Sequence, residues 1–433
     1  MSVGLGILLT FGLFLGLLTV GLSVPVAIAL PALVLLVIQG GFSSLNSLGF
    51  IAWGSMSSFT LTAVPLFILM AEILSVSGLS ARIYRGLSKL VSGLPGGLLQ
   101  TNIAGCAIFS AVSGSSVATA ASIGRVALPQ LLSRNYARPI SAGSLAAGGT
   151  LGILIPPSIA MIIYGTFTQT SVPQLFMAGM VPGLLLTLLF MIYIGLHATL
   201  FPAVAPREKL SLSLREVMTA LGDVSPFAIL IAGTLGLLYL GIVTTTEAAT
   251  IGCILAAILA MIFGNLTIAG LVDAIRSTVL MVGSILFLIL AAFLFSAAIS
   301  FSGIGIEIVN FVVSLELTRI EFFVSLFIIF TVLGCLIESL GMIVITVPLI
   351  FPMLGNYGID PLLFGVVLVL FVELAQITPP MGINLFIIQG IWDGNLGDVV
   401  KGAIPFAIIM FLTAGLLVLW PAVALWLPQQ MTN

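Results

Sequence analysis

Long apolar runs, each about the length of a membrane crossing, follow one another along almost the whole chain. A helix needs about 20 apolar residues to span a bilayer, so a chain of 433 residues has room for roughly ten crossings with short loops. Only 6% of the residues are charged, against roughly 25% in soluble domains. Water-soluble globules, nucleic-acid binders and secreted disulfide scaffolds are therefore excluded. Because the apolar runs are continuous rather than alternating, we predict an all-α polytopic membrane protein and not a β-barrel.

The charged residues divide the chain into two halves of opposite sign. Residues 1–216 carry nine Lys and Arg against three Asp and Glu, whereas residues 217–433 carry three against eleven. Basic loops stay on the cytoplasmic side, so this contrast predicts two duplicated halves inserted in opposite orientations. The basic cluster from Arg82 to Lys89 is then inside and the N-terminus outside. We expect the N-terminal apolar run to be a membrane span and not a cleavable signal peptide, because it lacks a basic start.

Proline pairs recur at a fixed offset and indicate an internal repeat. Pro156-Pro157 and Pro379-Pro380 are 223 residues apart, and the same offset carries Ser115 onto Glu338. An odd number of crossings in each copy, predicted to be five, makes the second copy inverted. The predicted units are a first inverted repeat at 1–205 with a hairpin at 93–133 and a broken helix at 139–166, a cytoplasmic linker at 206–222, and a second inverted repeat at 223–433 with a hairpin at 318–356 and a broken helix at 361–389.

Each repeat contains a stretch that is predicted to fold back within the membrane. The stretch 93–133 has basic residues on both flanks, so it enters and leaves on the same side. Its middle, Ser110–Ser122, is dense in Ser, Gly and Thr. This composition favours a re-entrant helical hairpin, with two full crossings joined by a tight turn as the alternative. The prolines that follow each hairpin predict a helix break near Ile155 and its counterpart, because Pro removes a backbone donor and restricts the residue before it.

Four elements are predicted to meet at mid-membrane, namely the two hairpin tips and the two Pro-Pro breaks. Helices that end there present free N–H and carbonyl groups, which attract anions and cations respectively. Inverted repeats with interrupted helices at matching positions indicate a secondary transporter. Oxygen-bearing side chains at these places are candidate ligands for a hard cation such as Na⁺. They are Ser113, Ser115, Ser116, Thr150, Glu338, Ser339 and Thr378, while the Asn384 amide is a candidate contact for substrate.

A few charged residues lie within apolar runs, where an ionisable group is costly and marks function by default. Arg125 either snorkels towards the inner surface or pairs with a substrate carboxylate. Glu72 and Glu373 are expected to hydrogen-bond to neighbouring helices or to a partner subunit. The cysteines, Cys106, Cys253 and Cys335, are expected to act as small hydrophobic residues, and their spacing suggests no metal site.

Two pairs of motifs resemble the large membrane (M) subunit of tripartite ATP-independent periplasmic (TRAP) transporters, of the ion transporter superfamily. They are SAVSGSSVATAAS (110–122) with TLGILIPPSIAMIIYG (150–165), and LIESLGMIVITVPLIFP (336–352) with ITPPMGINLF (377–386). The resemblance implies a Na⁺-driven importer of small organic acids in a bacterial inner membrane. It implies two partners, a periplasmic substrate-binding protein (P type) and a small four-helix membrane subunit (Q type). We expect the small subunit to be a separate chain, because nothing precedes the first repeat.

The resemblance also implies two Na⁺ sites, with Na⁺ co-transported and no organic cofactor. The first is Ser113, Gly114, Ser116, Gly149, Thr150, Ile153 and Pro156, and the second is Glu338, Ser339, Gly341, Gln376, Thr378 and Met381. Substrate is predicted to bind beside Ser115, Arg125, Glu338 and Asn384.

The site-forming pieces are contiguous in each repeat, as 93–165 and 318–390, which predicts an elevator mechanism in which they move as one rigid unit. The predicted scaffold consists of the spans near 3–78, 174–199, 225–300 and 402–421.

Two rival functions and an ATP-driven pump are less consistent with these motifs. A standalone divalent-anion/Na⁺ symporter of similar architecture typically has Ser-Asn-Thr at both tips, whereas this chain has SGSS at 113–116 and ESLG at 338–341. An intramembrane protease would use Ser113 with His197, but the Gly-x-Ser-Gly word is absent. A pump needs a P-loop, which the sequence lacks. We therefore expect a carrier and not an enzyme.

Overall fold

The computed structural model describes residues 3–91, 93–206, 213–392 and 394–431. Within these ranges every regular element is helical, which confirms the predicted all-α class. Eight helices of the described chain are long and apolar enough to cross a membrane. Residues 207–212 of the predicted linker lie outside the described residues.

The helices of the first half include two adjacent pairs that correspond to the predicted hairpin and broken helix. In chain order they are α1 (Val3–Thr19), α2 (Val24–Gly40), α3 (Leu48–Met56), α4 (Ala63–Val76), α5 (Leu79–Val91), α6 (Leu98–Ser113), α7 (Ser116–Ser133), α8 (Arg138–Leu154), α9 (Ile159–Thr168) and α10 (Val172–Leu200). Short 3₁₀ segments, Phe42–Ser47 and Phe59–Thr62, precede α3 and α4.

The second half contains the corresponding pairs at α16–α17 and α18–α19. Its helices are α11 (Leu214–Ile231), α12 (Leu237–Tyr239), α13 (Thr245–Phe263), α14 (Ile268–Ser302), α15 (Ile304–Ser314), α16 (Arg319–Leu333), α17 (Ser339–Ile350), α18 (Pro361–Gln376), α19 (Ile383–Ile391), α20 (Leu396–Leu419) and α21 (Ala422–Met431). A π turn joins α11 to α12, and a 3₁₀ segment follows α17.

The end of the predicted linker is helical. The Ser213 side chain accepts a hydrogen bond from the Glu216 backbone, and the Glu216 carboxylate accepts one from the Ser213 backbone. This capping box satisfies free N–H groups at the helix start. Residues 214–222 therefore belong to α11, because the local cap begins the helix before the apolar run that we used to place the span.

The centre of the molecule is α8, whose residues from Ile140 to Leu154 are all buried. Gly143 of α8 faces Gly402 of α20 so closely that a Cβ atom on Gly402 would overlap the carbonyl group of Pro139. Small residues allow helix backbones to approach in membranes, where packing and not water exclusion drives association. The backbones of the first and second halves are therefore in direct contact where α8 crosses α20.

This packing involves two spans that we predicted to belong to the scaffold. We placed the spans near 174–199 and 402–421 outside the unit that carries the site, but α20 is packed on α8 at Gly402. On α10, a Cβ at Gly179 would lie 2.7 Å from the Leu154 carbonyl oxygen, and one at Gly183 would lie 2.7 Å from the Ile155 side chain. Helices α10 and α20 are therefore packed directly on α8. We name α6–α10 and α16–α20 together the core unit.

Helices α1–α5 and α11–α15 pack against one another beside the core unit, whereas α21 packs on α10. Contacts join α2 and α4 to α14, and α4 to α13. Near the basic cluster, the Arg82 guanidinium is 3.1 Å from the Asp223 carboxylate, donates to the Phe263 carbonyl at 2.6 Å and lies 5.1 Å from the centre of the Phe263 ring. This contact joins α5 to α11 and α13. We name the helices α1–α5 and α11–α15 the frame.

Candidate functional site

The tip of the first hairpin is a tight turn that only glycine can make. Gly114 has φ of +61°, and a Cβ atom on it would lie 2.8 Å from the Pro157 carbonyl oxygen. The next residue, Ser115, caps α7 by accepting a hydrogen bond from Ala118. Across the turn the hydroxyl groups of Ser113 and Thr119 are 2.6 Å apart. The tip therefore carries a compact group of oxygen atoms.

The first Pro-Pro break closes against this tip. Helix α8 ends at Leu154 and α9 begins at Ile159, which confirms the predicted break near Ile155. The Ile159 backbone donates a hydrogen bond to the Gly114 carbonyl at 3.4 Å. A Cβ at Gly152 would lie 2.5 Å from the Ser115 carbonyl oxygen. The absent side chain thus lets the tip approach the end of α8.

The residues of the first predicted Na⁺ site are all buried, and at Gly149 the hairpin tip lies close to α8, since a Cβ there would be 3.3 Å from the Ser116 carbonyl oxygen. They are Ser113, Gly114, Ser116, Gly149, Thr150, Ile153 and Pro156. The Thr150 hydroxyl donates to the Ala147 carbonyl at 2.6 Å and lies 3.5 Å from the Met410 sulfur of α20, which leaves its oxygen lone pairs without a donor.

The second Pro-Pro break is more open. Helix α18 ends at Gln376 and α19 begins at Ile383. The Thr378 hydroxyl donates to the Leu374 carbonyl at 2.6 Å, one turn back, as Thr150 does in the first half. The side chain of Met381 is 52% exposed. This break therefore offers backbone and hydroxyl oxygens at an accessible position.

The second hairpin differs from the first because its two helices lie apart. Helix α16 packs on α18, whereas α17 packs mainly on α9 and α14 and to a smaller extent on α18. The physical reason is burial: the run from Met342 to Val347 in α17 is covered, and α9 supplies much of that cover. Glu338 occupies the N-cap position of α17, but its side chain makes no capping hydrogen bond. It is exposed and, in the described part of the chain, has no hydrogen-bond or ion-pair partner.

The residues of the predicted second Na⁺ site differ in burial. Gly341 and Gln376 are buried, Ser339 and Thr378 are half-buried, and Glu338 and Met381 are exposed.

The residues predicted to bind substrate fall into two environments. Ser115 is half-buried at the first tip, whereas Arg125 is exposed further along α7. Asn384 is wholly buried, and its amide donates to the Ser116 hydroxyl at 2.7 Å. Asn384 thus contacts the hairpin tip and not an open cleft.

The sequence prediction left Glu373 out of the site, and the structure places it at the first tip. Its carboxylate accepts a hydrogen bond from the Ser116 hydroxyl at 2.8 Å, and the residue is wholly buried. This bond joins α18 of the second half to α7 of the first. The signal available in the sequence was a lone carboxylate five residues before Thr378-Pro379 within an apolar run, where ionisable groups mark function. We predicted a hydrogen bond to a neighbouring helix, which is confirmed, but not its partner.

The side chains that the arrangement brings together carry oxygen ligands. No group of three or more His, Cys, Asp or Glu residues that could hold a metal ion occurs among residues 3–91, 93–206, 213–392 and 394–431. Cys106, Cys253 and Cys335 are free thiols. What the site offers is hydroxyl, amide, carboxylate and backbone oxygens at interrupted helices, which is the chemistry of a hard-cation carrier.

Comparison with known proteins identifies relatives over nearly the full length. Residues 11–423 match the profile of a family described as "Tripartite ATP-independent periplasmic transporter, DctM component". The C4-dicarboxylate TRAP transporter large permease protein DctM of Pseudomonas aeruginosa is 32% identical over 89% of this chain and 90% of its own. The ectoine TRAP transporter large permease protein TeaC of Halomonas elongata is 31% identical over 95% of this chain and 96% of its own.

A solved structure shares the fold. The YdaH transporter of Alcanivorax borkumensis superimposes with a TM-score of 0.65, covering 92% of this chain and 97% of that one, at 16% identity. At this identity the likeness concerns the fold alone.

Proposed function

The chain belongs to the DctM component family of tripartite ATP-independent periplasmic transporters, and from this membership we propose that it is the Na⁺-driven translocating subunit of an importer of small organic acids. The protein is a multi-pass membrane component of a transporter and not an enzyme. The two named relatives carry different solutes, a C4-dicarboxylate and ectoine. We therefore propose the substrate class, small carboxylates, and not a single compound.

The observation that carries the Na⁺ proposal is the pair of interrupted helices, each with a threonine hydroxyl beside its break. Thr150 lies just before the first break and Thr378 within the second, and each donates to a carbonyl one turn back or less. Their oxygens remain free to accept, and hard cations prefer oxygen ligands. We propose Na⁺ at each hairpin tip, with the residues assigned from the sequence, and substrate between the tips beside Ser115, Arg125 and Glu338.

Two partners follow from the proposed tripartite system. We propose a periplasmic substrate-binding protein that delivers the solute and a small four-helix membrane subunit that packs on the frame. We propose the bacterial inner membrane as the location, since a periplasmic partner needs a permease that faces that compartment.

Uptake by reconstituted vesicles is expected to require both Na⁺ and a binding protein. The test measures uptake of a labelled solute, chosen as a ligand of the proposed binding protein, into proteoliposomes that contain both membrane subunits. We expect uptake with an inward Na⁺ gradient and background uptake when K⁺ replaces Na⁺. A proton gradient that drives uptake equally well without Na⁺ contradicts the Na⁺ proposal. Uptake that is equally fast without the binding protein favours the standalone symporter.

Removing a single proposed Na⁺ ligand is expected to raise the Na⁺ requirement. In Thr150→Ala, Thr378→Ala and Glu338→Ala, one oxygen ligand is lost while most of the site remains. A lost ligand worth about 1.4 kcal/mol weakens binding about tenfold, so we expect the half-maximal Na⁺ concentration for uptake to rise several-fold or more. Thr250→Ala on α13 is the matched control, because its hydroxyl also donates to a carbonyl one turn back, at Thr246, but lies in the frame. An unchanged Na⁺ requirement in all three variants contradicts the assignment.

We further propose that the core unit moves as a rigid body along the frame. The packing of α10 and α20 on the interrupted helices supports a unit larger than the one predicted from the sequence. Moving it whole alternates access while each Na⁺ site stays assembled, because packed interfaces slide more readily than they rearrange.

A further inference from the structure

Two buried oxygen atoms at the junction of the halves have no hydrogen-bond partner. They are Oε1 of Glu373 and Oδ1 of Asn384, and both residues are wholly buried. Each belongs to a side chain whose other terminal atom contacts Ser116. The Gln376 side-chain nitrogen, three residues further along α18 from Glu373, is also buried without a partner. Buried polar atoms in proteins are nearly always satisfied, so this group of unpartnered atoms points to a missing ligand.

The hydrogen bonds of Ser116 determine which atoms are free. The Asn384 amide nitrogen can only donate, so the Ser116 oxygen accepts that bond at 2.7 Å. The single hydroxyl hydrogen of Ser116 then goes to Glu373 Oε2 at 2.8 Å. This bridge links the side chains of Glu373 and Asn384, and it uses the only hydrogen that the Ser116 hydroxyl can donate. A ligand for the remaining oxygens must therefore come from elsewhere.

The charge of the site matches that of a monovalent cation. Within the described chain, no basic side chain forms an ion pair with Glu373. The ion pair between Arg82 and Asp223 lies in the frame. Arg125 lies nine positions beyond Ser116 on α7 and is exposed. A buried carboxylate must be paired or neutralised, and one Na⁺ balances one carboxylate without leaving an excess charge. Divalent ions usually recruit more than one carboxylate, and softer metals prefer nitrogen or sulfur.

We propose that Glu373 Oε1 and Asn384 Oδ1 bind a Na⁺ ion at the junction of the two halves, in addition to the ions proposed at the hairpin tips. This rests on the proposed Na⁺-driven function and moves Asn384 from substrate binding to cation binding. The repeat offset of 223 residues carries Thr150, a proposed ligand of the first half, onto Glu373. Because Ser116 belongs to the hairpin tip, the site is complete only when that tip is seated on α18 and α19.

Counting bound Na⁺ tests the site. Equilibrium dialysis with radioactive Na⁺ is performed on the purified full-length protein and on Glu373→Gln, which keeps an oxygen for Ser116 but loses the charge. We expect the variant to bind one Na⁺ fewer per chain. Glu72→Gln on α4 is the matched control, a half-buried carboxylate of the frame, and is expected to bind as many as the unmodified protein.

The outcomes separate this site from the proposed function. If the unmodified protein binds Na⁺ and Glu373→Gln binds the same number, the junction site is overturned while Na⁺-driven transport stands. If the unmodified protein binds no Na⁺, the proposed coupling fails as well.

A second measurement needs no variant and keeps the proposal testable if Glu373→Gln does not fold. A hydrophobic carbodiimide modifies buried carboxyl groups, and mass spectrometry of the unmodified protein gives the rate at Glu373. At a Na⁺ concentration ten times the dissociation constant, occupancy is expected to slow that rate about tenfold relative to K⁺. Glu72 is the internal reference and should react equally in both salts. Equal rates at Glu373 in Na⁺ and K⁺ would overturn the site.

Discussion

Gly402→Val is expected to leave little folded protein and no uptake above background. A side chain at this position overlaps the Pro139 carbonyl, and the backbone of Gly143 prevents α20 from shifting aside. Overpacking of cores costs about 1–3 kcal/mol where side chains can adjust, and here backbone must move, so we expect a loss above about 3 kcal/mol. The measurements are the monodisperse fraction after solubilisation, the thermal unfolding temperature and solute uptake.

Gly415→Val is the matched control for that experiment. It makes the same change on the same helix, but no atom lies within 4 Å of the added Cβ position. We expect its free energy of unfolding to change by no more than about 0.5 kcal/mol, as for substitutions away from packed contacts. If Gly402→Val matches this control in unfolding temperature and uptake, the close crossing of α8 and α20 is wrong.

Cross-linking the core unit to the frame is expected to stop transport completely. Phe167 of α9 stacks on Phe293 of α14, with ring centres 4.4 Å apart and planes 19° from parallel. In Phe167→Cys/Phe293→Cys, made in a background without the native cysteines, a short thiol cross-linker joins the moving and fixed parts. A rigid core unit that is covalently joined to the frame at one point cannot move across the membrane. We expect uptake at background after cross-linking and recovery after reduction.

The matched control is a cross-link within the core unit. Phe190 of α10 and Phe406 of α20 have ring centres 5.1 Å apart, and both helices are proposed to move together. Cross-linked Phe190→Cys/Phe406→Cys is therefore expected to transport at the rate of the same protein before cross-linking. Normal uptake by fully cross-linked Phe167→Cys/Phe293→Cys refutes the elevator proposal. If cross-linking the control pair inhibits uptake, α10 or α20 belongs to the frame and not to the core unit.

The breaks and the first tip could be predicted because their causes are local. Pro156 removes a donor within its own helix, and Gly114 makes its turn by its own backbone freedom, so neither depends on distant residues. The break fell where the prolines require it, at the end of α8.

The partners across the halves could not be predicted because periodicity does not identify them. Ser116 and Glu373 are 257 positions apart in the sequence, and nothing in either segment specifies the other. The crossing of Gly143 with Gly402 is equally remote, and a glycine in an apolar helix also occurs without any close neighbour, as Gly415 does. The parted helices of the second hairpin depend on how α9 covers α17, which is a property of tertiary packing.

The burial of α8 has a consequence for how the chain is made. Its apolar residues are covered on all sides, and part of that cover, α20, is near the end of the chain. During synthesis the first half enters the membrane while this surface faces lipid or the insertion machinery, and its glycines lack their final partner. The two halves of the chain are therefore not independent folding units. A nascent chain that ends before α20 leaves Gly143 of α8 without the helix that it contacts in the complete protein.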